Sequence, residues 1–503
     1  MNNKTQKIII VGGGTAGWMA AAALANDQRE LDITVIEAPN LGTIGVGEAS
    51  IPGIRNFNAS LGIDEIDFIK KTHATFKLGI QFEDWFNKGS QFFHPFSDYG
   101  QPLNGVDFHH YLYRCQKIKT NPKELSNFKL QDFCLASQVA LDNRFAQPSV
   151  DSGHSLSDYK YAFHFDASLY ANYLKDYSIE RKVKHIQAKV NEVHLAPDGN
   201  ILSLNLDNKQ QHKADLFIDC SGFRALLIEG ALKTGFTDWS HWLPVNSAIA
   251  IASEPHKQPS PYTRSCAKEA GWIWQIPLQS RFGNGYVYCD NFISDDHALV
   301  ELKKSINEKT TSEARQLRFK TGIRNKFWNK NCVALGLASG FLEPLESTSI
   351  SLIQTGLSRL LMFFPDNGFN KAETDEANRL ALIEMERIRD FIILHYKYSQ
   401  RQDSDFWRYV QEMEIPDTLQ HKVELFKHAG HMSSYELESF GPSSWLSLFD
   451  GMNIRPQHQH VATASLSHSD LISGLNNMKD QIKSTSKKAM THQDFINKHC
   501  KAF

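Results

Sequence analysis

The run KIIIVGGGTAGWMAAAALA, residues 7–25, constrains this chain more than any other segment. Lys7 to Val11 is an apolar run of strand length, three glycines turn the chain, and an alanine-rich helix follows from about Ala16. A second apolar run, DITVIEA, ends near Glu37, roughly the distance past the turn that a ribose-binding acid requires. Each glycine has a distinct role in such a strand-turn-helix. Gly12 makes the tight turn, Gly14 lets a pyrophosphate approach the backbone, and Gly17 lets helix and strand pack closely, while Glu37 accepts from a ribose hydroxyl. A glycine turn with no ligand is the competing reading. It is disfavoured because strand, helix, second strand and acid all fall in sequence, so dinucleotide binding is expected. The glycine-dense GTIGVGEASIPGI, residues 42–54, then reads as a backbone strap across a cofactor rather than a plain flexible loop.

Pieces of the same nucleotide fold return much later. DASLYANYLKDYS reads as a helix, VKHIQAKVNEVHL as one strand, and ADLFIDCSGFRAL as a strand from Leu216 to Asp219 that ends in a small-residue turn and rejoins the first sheet. NCVALGLASGFLEPLESTSISLIQTGLSRLLMFF adds a buried strand, a loop from Gly336 to Ser349 and an apolar helix. An ordinary dehydrogenase would complete its nucleotide fold before the substrate domain, so this interrupted pattern favours tightly held FAD. The expected fold class is α/β: an FAD-binding Rossmann-like fold of aromatic-hydroxylase type, with inserted strands and a largely helical C-terminal part. The FAD-binding domain is expected to be discontinuous over 1–84, 161–224 and 325–365. Residues 85–160 and 225–324 form an inserted substrate-side region, and 366–503 the helical part.

Composition removes several function classes. A chain of 503 residues exceeds one hydrophobic core, and 41% hydrophobic with 22% charged residues is ordinary for a globular protein. A net charge of −2 offers no general attraction to nucleic acid or anionic membrane. No apolar run approaches the roughly 18 to 20 residues a membrane span needs, and Gln6 to Val11 already reads as a strand rather than a leader. The seven cysteines are scattered without a C-x-x-C pair, which fits reduced thiols and a cytoplasmic location. His428 and His431, spaced H-x-x-H, and the histidine-glutamine run near His458 lack a supporting carboxylate or cysteine cluster in sequence. They read as solvated or core histidines, and no metal is expected.

GGGTAGWMAAAAL, GVGEASIP, FKLGIQFEDW, GWIWQIP and GLASGFLEPLESTSI, in this order, resemble the flavin-dependent tryptophan halogenase family to about residue 360. The resemblance implies that reduced FAD, oxygen and chloride or bromide yield hypohalous acid, which travels inside the protein to an aromatic substrate. No second G-x-G-x-x-G follows a strand, so FADH2 is expected from a separate flavin reductase. By motif, the catalytic residues are Lys77 in ATFKLGI and Glu346 in EPLESTSI. Lys77 would polarise hypohalous acid through its ammonium or form a haloamine through its amine, and its apolar neighbours Phe76, Leu78 and Ile80 argue against an ordinary surface lysine. Glu346 would orient the oxidant, stabilise a cationic ring intermediate and accept its proton. Its alternative is a helix N-terminal acid facing the dipole, and Glu343 is read as structural. The resemblance points to Thr348 and Ser349 for halide, where Ser349 replaces a glycine common in relatives but keeps the backbone donor. It adds Thr15, Ala16, Ala49, Val190, Leu337 and Ile350 to the FAD contacts.

Residues 271–277, GWIWQIP, alternate so that Trp272 and Trp274 share a strand face, with Pro277 closing the segment. Alone this pattern is core; beside Lys77 and Glu346 it is a rigid wall between flavin and substrate that carries no chemistry. Electron-rich rings suit electrophilic halogenation, and Phe92, Phe93, His94, Phe96, His109 and His110 are candidate cavity walls. Relatives acting on free tryptophan hold its head group with a tyrosine pair and an acid, where this chain has Trp445 and Leu446. An indole-type substrate other than free tryptophan is therefore expected. The alternative activity is a single-component FAD aromatic hydroxylase, and the non-enzymatic one a flavin-binding sensor or scaffold.

Overall fold

The computed structural model describes residues 6–39, 47–117, 128–149, 159–366 and 368–502. The first part of the strap expected over 42–54 lies outside these residues. No helix among the described residues is long and apolar enough to cross a membrane.

The opening motif builds the centre of a six-stranded sheet. Its strand order is Trp328–Asn329, Cys332–Ala334, Leu216–Asp219, Gln6–Val11, Leu31–Glu37 and Lys184–Gln187. All neighbours are parallel except the edge pair Trp328–Asn329 with Cys332–Ala334. Ile8, Ile10 and Val35 are wholly buried on the face that carries the helix Thr15–Ala25, and Ile9, Val11 and Phe217 on the opposite face pack with Ile201, Leu204 and Leu206. The helix Thr15–Ala25 follows the glycine turn and packs against Ala167–Glu180, whose N-cap Asp166 accepts from the Ser168 and Leu169 N–H groups. The Rossmann-type α/β architecture read from the sequence is the one observed.

One expected strand divides in two. Lys184–Gln187 ends the parallel sheet, whereas Val190–Leu195 pairs antiparallel with Ile201–Leu206 in a separate three-stranded sheet. The alternation of VKHIQAKVNEVHL runs unbroken through the join, so only the backbone partners distinguish the two halves. The Ala188 N–H donates to the Glu37 carbonyl at 3.0 Å, while the next N–H, on Lys189, donates to Asp207 at 3.1 Å. The expected loop from Gly336 to Ser349 is likewise ordered, as short helical turns at Gly336–Ala338 and Pro344–Glu346 around the strand Gly340–Phe341, which pairs with Gly322–Arg324.

The second large sheet has seven strands: Arg315–Arg318, Ser247–Ser253, Phe282–Tyr288, Gly271–Pro277, Thr263–Lys268, Gly79–Glu83 and Gln91–Pro95. It thus includes residues 79–83, which precede the limit drawn at 84 from sequence. Gly271–Pro277 is an interior strand, and Trp274 lies opposite Gly285. A Cβ on Gly285 would sit 2.0 Å from the Trp274 ring, so this glycine makes room for the indole. A small three-stranded sheet, Glu48–Ala49, Ala162–Phe165 and Thr75–Lys77, sets Lys77 opposite Ala162. The C-terminal part is helical, including the 27-residue Lys371–Lys397, and returns to lock this small sheet: the Phe76 N–H donates to His492 Nε2 at 3.2 Å.

The two glycines of the opening turn separate packing from ligand access. A Cβ on Gly17 would lie 1.8 Å from the Gly12 carbonyl oxygen, whereas one on Gly14 would meet nothing within 4 Å. Gly17→Ala is expected to lose about 1–3 kcal/mol or more in urea denaturation, and Gly14→Ala to stay within about 1 kcal/mol of the parent. Equal losses would contradict the close helix-to-strand approach at Gly17.

Candidate active site

A single cavity of about 690 Å³ gathers most of the residues singled out from sequence. Gly12, Gly14, Thr15 and Ala16 form one end at the start of the first helix, with Glu37 and Val190 beside them. Ala49, Leu337, Ser349, Ile350, Trp272 and Trp274 line the remainder. Gly17, Lys77, Pro277, Glu346 and Thr348 are outside its lining. Gly17 acts through packing, and Pro277 uses its carbonyl to accept from Thr75 Oγ1 at 2.6 Å.

The first end of the cavity fits a dinucleotide phosphate. Gly12 has φ +120°, and a Cβ there would lie 2.2 Å from the Cys220 carbonyl oxygen. That close approach turns the chain so that the first helix presents its unpaired N–H groups to the cavity, and the bare Gly14 leaves room for a diphosphate. Glu37 is held by His185 Nε2 at 2.8 Å, leaving the carboxylate beside the turn where a ribose would lie. These residues, with Ala49 and Val190, would hold the nucleotide portion of FAD, and Leu337 and Ile350 its ring end.

The lysine and the acid lie next to Ser347, which lines the cavity. Lys77 is wholly buried, and its Nζ donates to Ser347 Oγ at 2.8 Å and to the Ser50 carbonyl at 3.1 Å. Burial drives its pKa down to about 7, against the opposing pull of Glu346 and Glu48. Ser347 adopts the left-handed region at φ 60°, rare for a residue with a side chain. This strained residue aims its hydroxyl at Lys77 while leaving Glu346 immediately before it. Glu346 is also buried, yet it is in the opposite electrostatic state. Burial alone would raise its pKa, but His94, at 3.0 Å through Nδ1, and His395, at 3.0 Å through Nε2, bring it to about 2. Lys77 and Glu346 do not form an ion pair. Each bonds its own partners.

The residues that motif reading missed are those partners: Ser50, Ser347, His395 and Glu48. Ser50, Ser347 and Glu48 sit inside quoted motifs as small or acidic residues without an obvious role. His395 comes from the interior of the helix Lys371–Lys397, where no motif signals it. Glu48 lines the cavity, and burial raises its pKa to about 7 despite the charge on Lys77.

Trp272 is more than a passive wall. Its Nε1–H donates to Glu343 Oε1 at 3.0 Å, and the Tyr396 hydroxyl donates to the same oxygen at 2.5 Å. Burial raises Glu343 to about 7, while the two donors lower it. Glu343 therefore positions the Trp272 ring, and Trp272 and Trp274, with ring centroids 6.2 Å apart, both face the cavity.

The candidate substrate walls separate. His94 contacts Glu346, and the Phe96 ring centroid lies 5.1 Å from Lys77 Nζ. Phe92 instead stacks on Phe82 at 4.7 Å, and Phe93 packs edge-on to Tyr262. His109 and His110 belong to a different cluster, around Gly430 and His460. Phe391 adds what sequence did not indicate: it stacks on Phe440 at 3.9 Å and meets Trp445 edge-on at 4.9 Å, with His94 5.6 Å away.

Comparison with known proteins identifies the family. The family model for tryptophan halogenases matches residues 7–468. The chain is similar to tryptophan 7-halogenase RebH of Lentzea aerocolonigenes, 36% identical over 453 residues, covering 85% of this chain and 83% of that protein. Among solved structures, BrvH, a flavin-dependent halogenase from Brevundimonas sp. BAL3, is 42% identical with a TM-score of 0.94 over 99% of this chain and 100% of that one. Xcc4156, a flavin-dependent halogenase from Xanthomonas campestris, is 40% identical with a TM-score of 0.94, covering 99% of each chain.

Burying Lys77 has a thermodynamic consequence. Its pKa falls from 10.5 to about 7 on folding, so between these values the unfolded chain retains a proton that the folded chain releases, and stability rises with pH. The cost is full at and below pH 7 and vanishes near 10.5. Lys77→Met is expected to gain on the order of 2 kcal/mol near pH 7, a gain that shrinks as pH rises to 10. Denaturation at several pH values checks this, and a gain independent of pH would contradict it.

Proposed function

The chain belongs to the flavin-dependent tryptophan halogenase family, and from that premise we propose that it halogenates an electron-rich, indole-type ring other than free tryptophan, by the joint action of Lys77 and Glu346. When bound in reduced form, FAD supplies with oxygen the oxidising equivalent that turns chloride or bromide into hypohalous acid. The reduced cofactor comes from a separate flavin reductase, in keeping with the absence of a second glycine-rich fingerprint from the sequence. Halide is held near Thr348 and Ser349, at the unpaired N–H groups that open the helix Ser349–Met362.

The observation that carries this reading is the buried pair of opposite character. Two of the donor positions of Lys77 Nζ are taken by Ser347 and the Ser50 carbonyl, leaving one position for hypohalous acid. With a pKa of about 7, the group exchanges readily between donor and nucleophile near neutrality. Glu346, at about 2, is ionised throughout that range. It stabilises positive charge on the attacked ring. A cationic ring intermediate is acidic enough to release its proton even to so weak a base. Trp272 and Trp274 keep organic molecules on their own side, so that only a small oxidant passes.

The substrate clause rests on the rings beside His94. Phe391, Phe440 and Trp445 offer aromatic surface, and Trp445 Nε1 and His94 Nε2 are buried without partners. The charges beside them are already paired: Glu346 with His94 and His395, and Lys422, whose Nζ lies 4.5 Å over the Trp445 ring, with Glu438 at 2.6 Å. A zwitterionic head group would find aromatic surface where it needs charge.

Incubation with FAD, a flavin reductase, NADH, oxygen and bromide or chloride over indoles, phenols and free tryptophan is expected to give monohalogenated indole-type products by mass. Hydroxylated product without halogen would sink the reading, and preference for free tryptophan would sink its substrate clause. Lys77→Ala and Glu346→Gln should each reduce halogenation by about 10²–10⁴-fold with FAD still bound. Trp272→Phe keeps the ring and removes its bond to Glu343, and should raise the reduced flavin consumed per halogenated product.

A further inference from the structure

The hydrogen bonds around Glu346 fix where the protons sit. His395 Nδ1 lies 3.0 Å from the Phe391 carbonyl, and its Nε2 lies 3.0 Å from Glu346 Oε1. A carbonyl and an ionised carboxylate can only accept, so both nitrogens donate and His395 is an imidazolium that balances the charge on Glu346. His94 Nδ1 lies 3.2 and 3.0 Å from the two carboxylate oxygens, so it too donates. His94 Nε2 is buried and has no hydrogen-bond partner among the described residues. With the one negative charge already matched by His395, His94 is neutral and its Nε2 carries a lone pair.

We propose that His94 Nε2 is the base that takes the proton from the halogenated ring, with Glu346 orienting the imidazole and stabilising the charge that forms on it. The role rests on the halogenase activity proposed above and assigns the proton within it. When the ring attacks the halogen of hypohalous acid, a carbon–halogen bond forms and the halogen–oxygen bond breaks, and the hydroxide released takes a proton from the Lys77 ammonium and leaves as water. One ring carbon then holds both hydrogen and halogen. Its C–H electron pair returns to the ring, and the proton passes to Nε2. In hydrolases that pair a carboxylate with a histidine, the carboxylate likewise selects the tautomer and stabilises the imidazolium without being protonated itself.

The placement of His94 supports this role. It lies on the strand Gln91–Pro95 opposite Ile80, and the Phe96 N–H donates to the Leu78 carbonyl, so the side chains of His94 and Phe96 share a face. Phe96 sets its ring 5.1 Å from Lys77 Nζ while His94 meets Glu346, so one stretch of chain reaches both the lysine and the acid. The surroundings of the His94 ring are otherwise aromatic, with the Phe391 and Phe440 centroids 5.6 and 6.2 Å away. His94 is 2% exposed, and an unmatched nitrogen at that depth is costly unless a ligand uses it. Glu346 is the weaker acceptor of the two: both of its oxygens already accept from imidazoles, which hold it at about 2.

The test uses the full chain loaded with FAD and supplied with a flavin reductase, NADH, oxygen and bromide, over indole and ring-deuterated indole. His94→Asn keeps an amide donor close to the position of Nδ1 and leaves nothing at Nε2. Its halogenation is expected to fall by about 10²-fold or more. Single turnovers of this variant should be slower on deuterated indole, whereas the parent, limited by ring attack or an earlier step, should not distinguish the two. Added imidazole should restore part of the rate to His94→Gly, and circular dichroism and FAD retention check that both variants are folded. In the parent chain labelled with ¹⁵N-histidine, the His94 Nε2 signal, identified by its loss in either variant, should be that of an unprotonated nitrogen at neutral pH. Full turnover by a folded His94→Asn, no rescue of a folded His94→Gly, or a protonated Nε2 in the parent would overturn the assignment. A parent chain that yields no halogenated product would instead overturn the activity on which it rests.

Discussion

The site depends on keeping a lysine nitrogen out of water without an ion partner. A buried ammonium with no carboxylate in contact is costly, and this protein tolerates Lys77 by giving it a hydroxyl and a carbonyl while burial lowers its pKa to about 7. Much of the local architecture follows. The short strand Thr75–Lys77 pairs with Ala162–Phe165, Ser347 accepts a left-handed backbone to present its hydroxyl, and the C-terminal His492 accepts from the Phe76 N–H of the same strand. An exposed lysine would keep its ordinary pKa, and one paired directly with Glu346 would have it raised by that charge.

Glu346 shows the converse solution. It is as deeply buried as Lys77, but two imidazoles supply donors to its oxygens, so it keeps its charge. Glu343, three residues earlier and equally buried, receives only Trp272 and Tyr396 on one oxygen and is driven toward the neutral form at about 7. Two glutamates in one loop are thus given different charge states by their donors, and one of them orients the tryptophan wall.

The legibility of these features follows the range of the interactions behind them. The glycine turn, its strand and its helix are local, and their geometry was readable because a Cβ at Gly17 would collide with the Gly12 carbonyl inside the turn itself, whereas the clash at Gly12 is with Cys220 just past the returning strand. The join at Ala188 was not readable, since its side-chain alternation continues while consecutive N–H groups find partners in different sheets. Lys77 and Glu346 stood out through family motifs, but their partners did not: Ser50 and Ser347 are ordinary small residues in sequence, and His395 lies among apolar helix positions. His110 and His460 are 350 positions apart by number, so no spacing rule joins them.

By itself, the sequence determined that this chain would fold around a dinucleotide-binding α/β sheet and carry the halogenase motifs in order, because those signals lie within short stretches whose steric requirements are self-contained. Only the tertiary structure decided how Lys77 and Glu346 are held apart, which oxygens face which donors, and which aromatic rings stand beside His94. Those outcomes depend on burial and on partners brought from distant parts of the chain, and the cost of an unpaired buried charge is known only once the chain has closed around it.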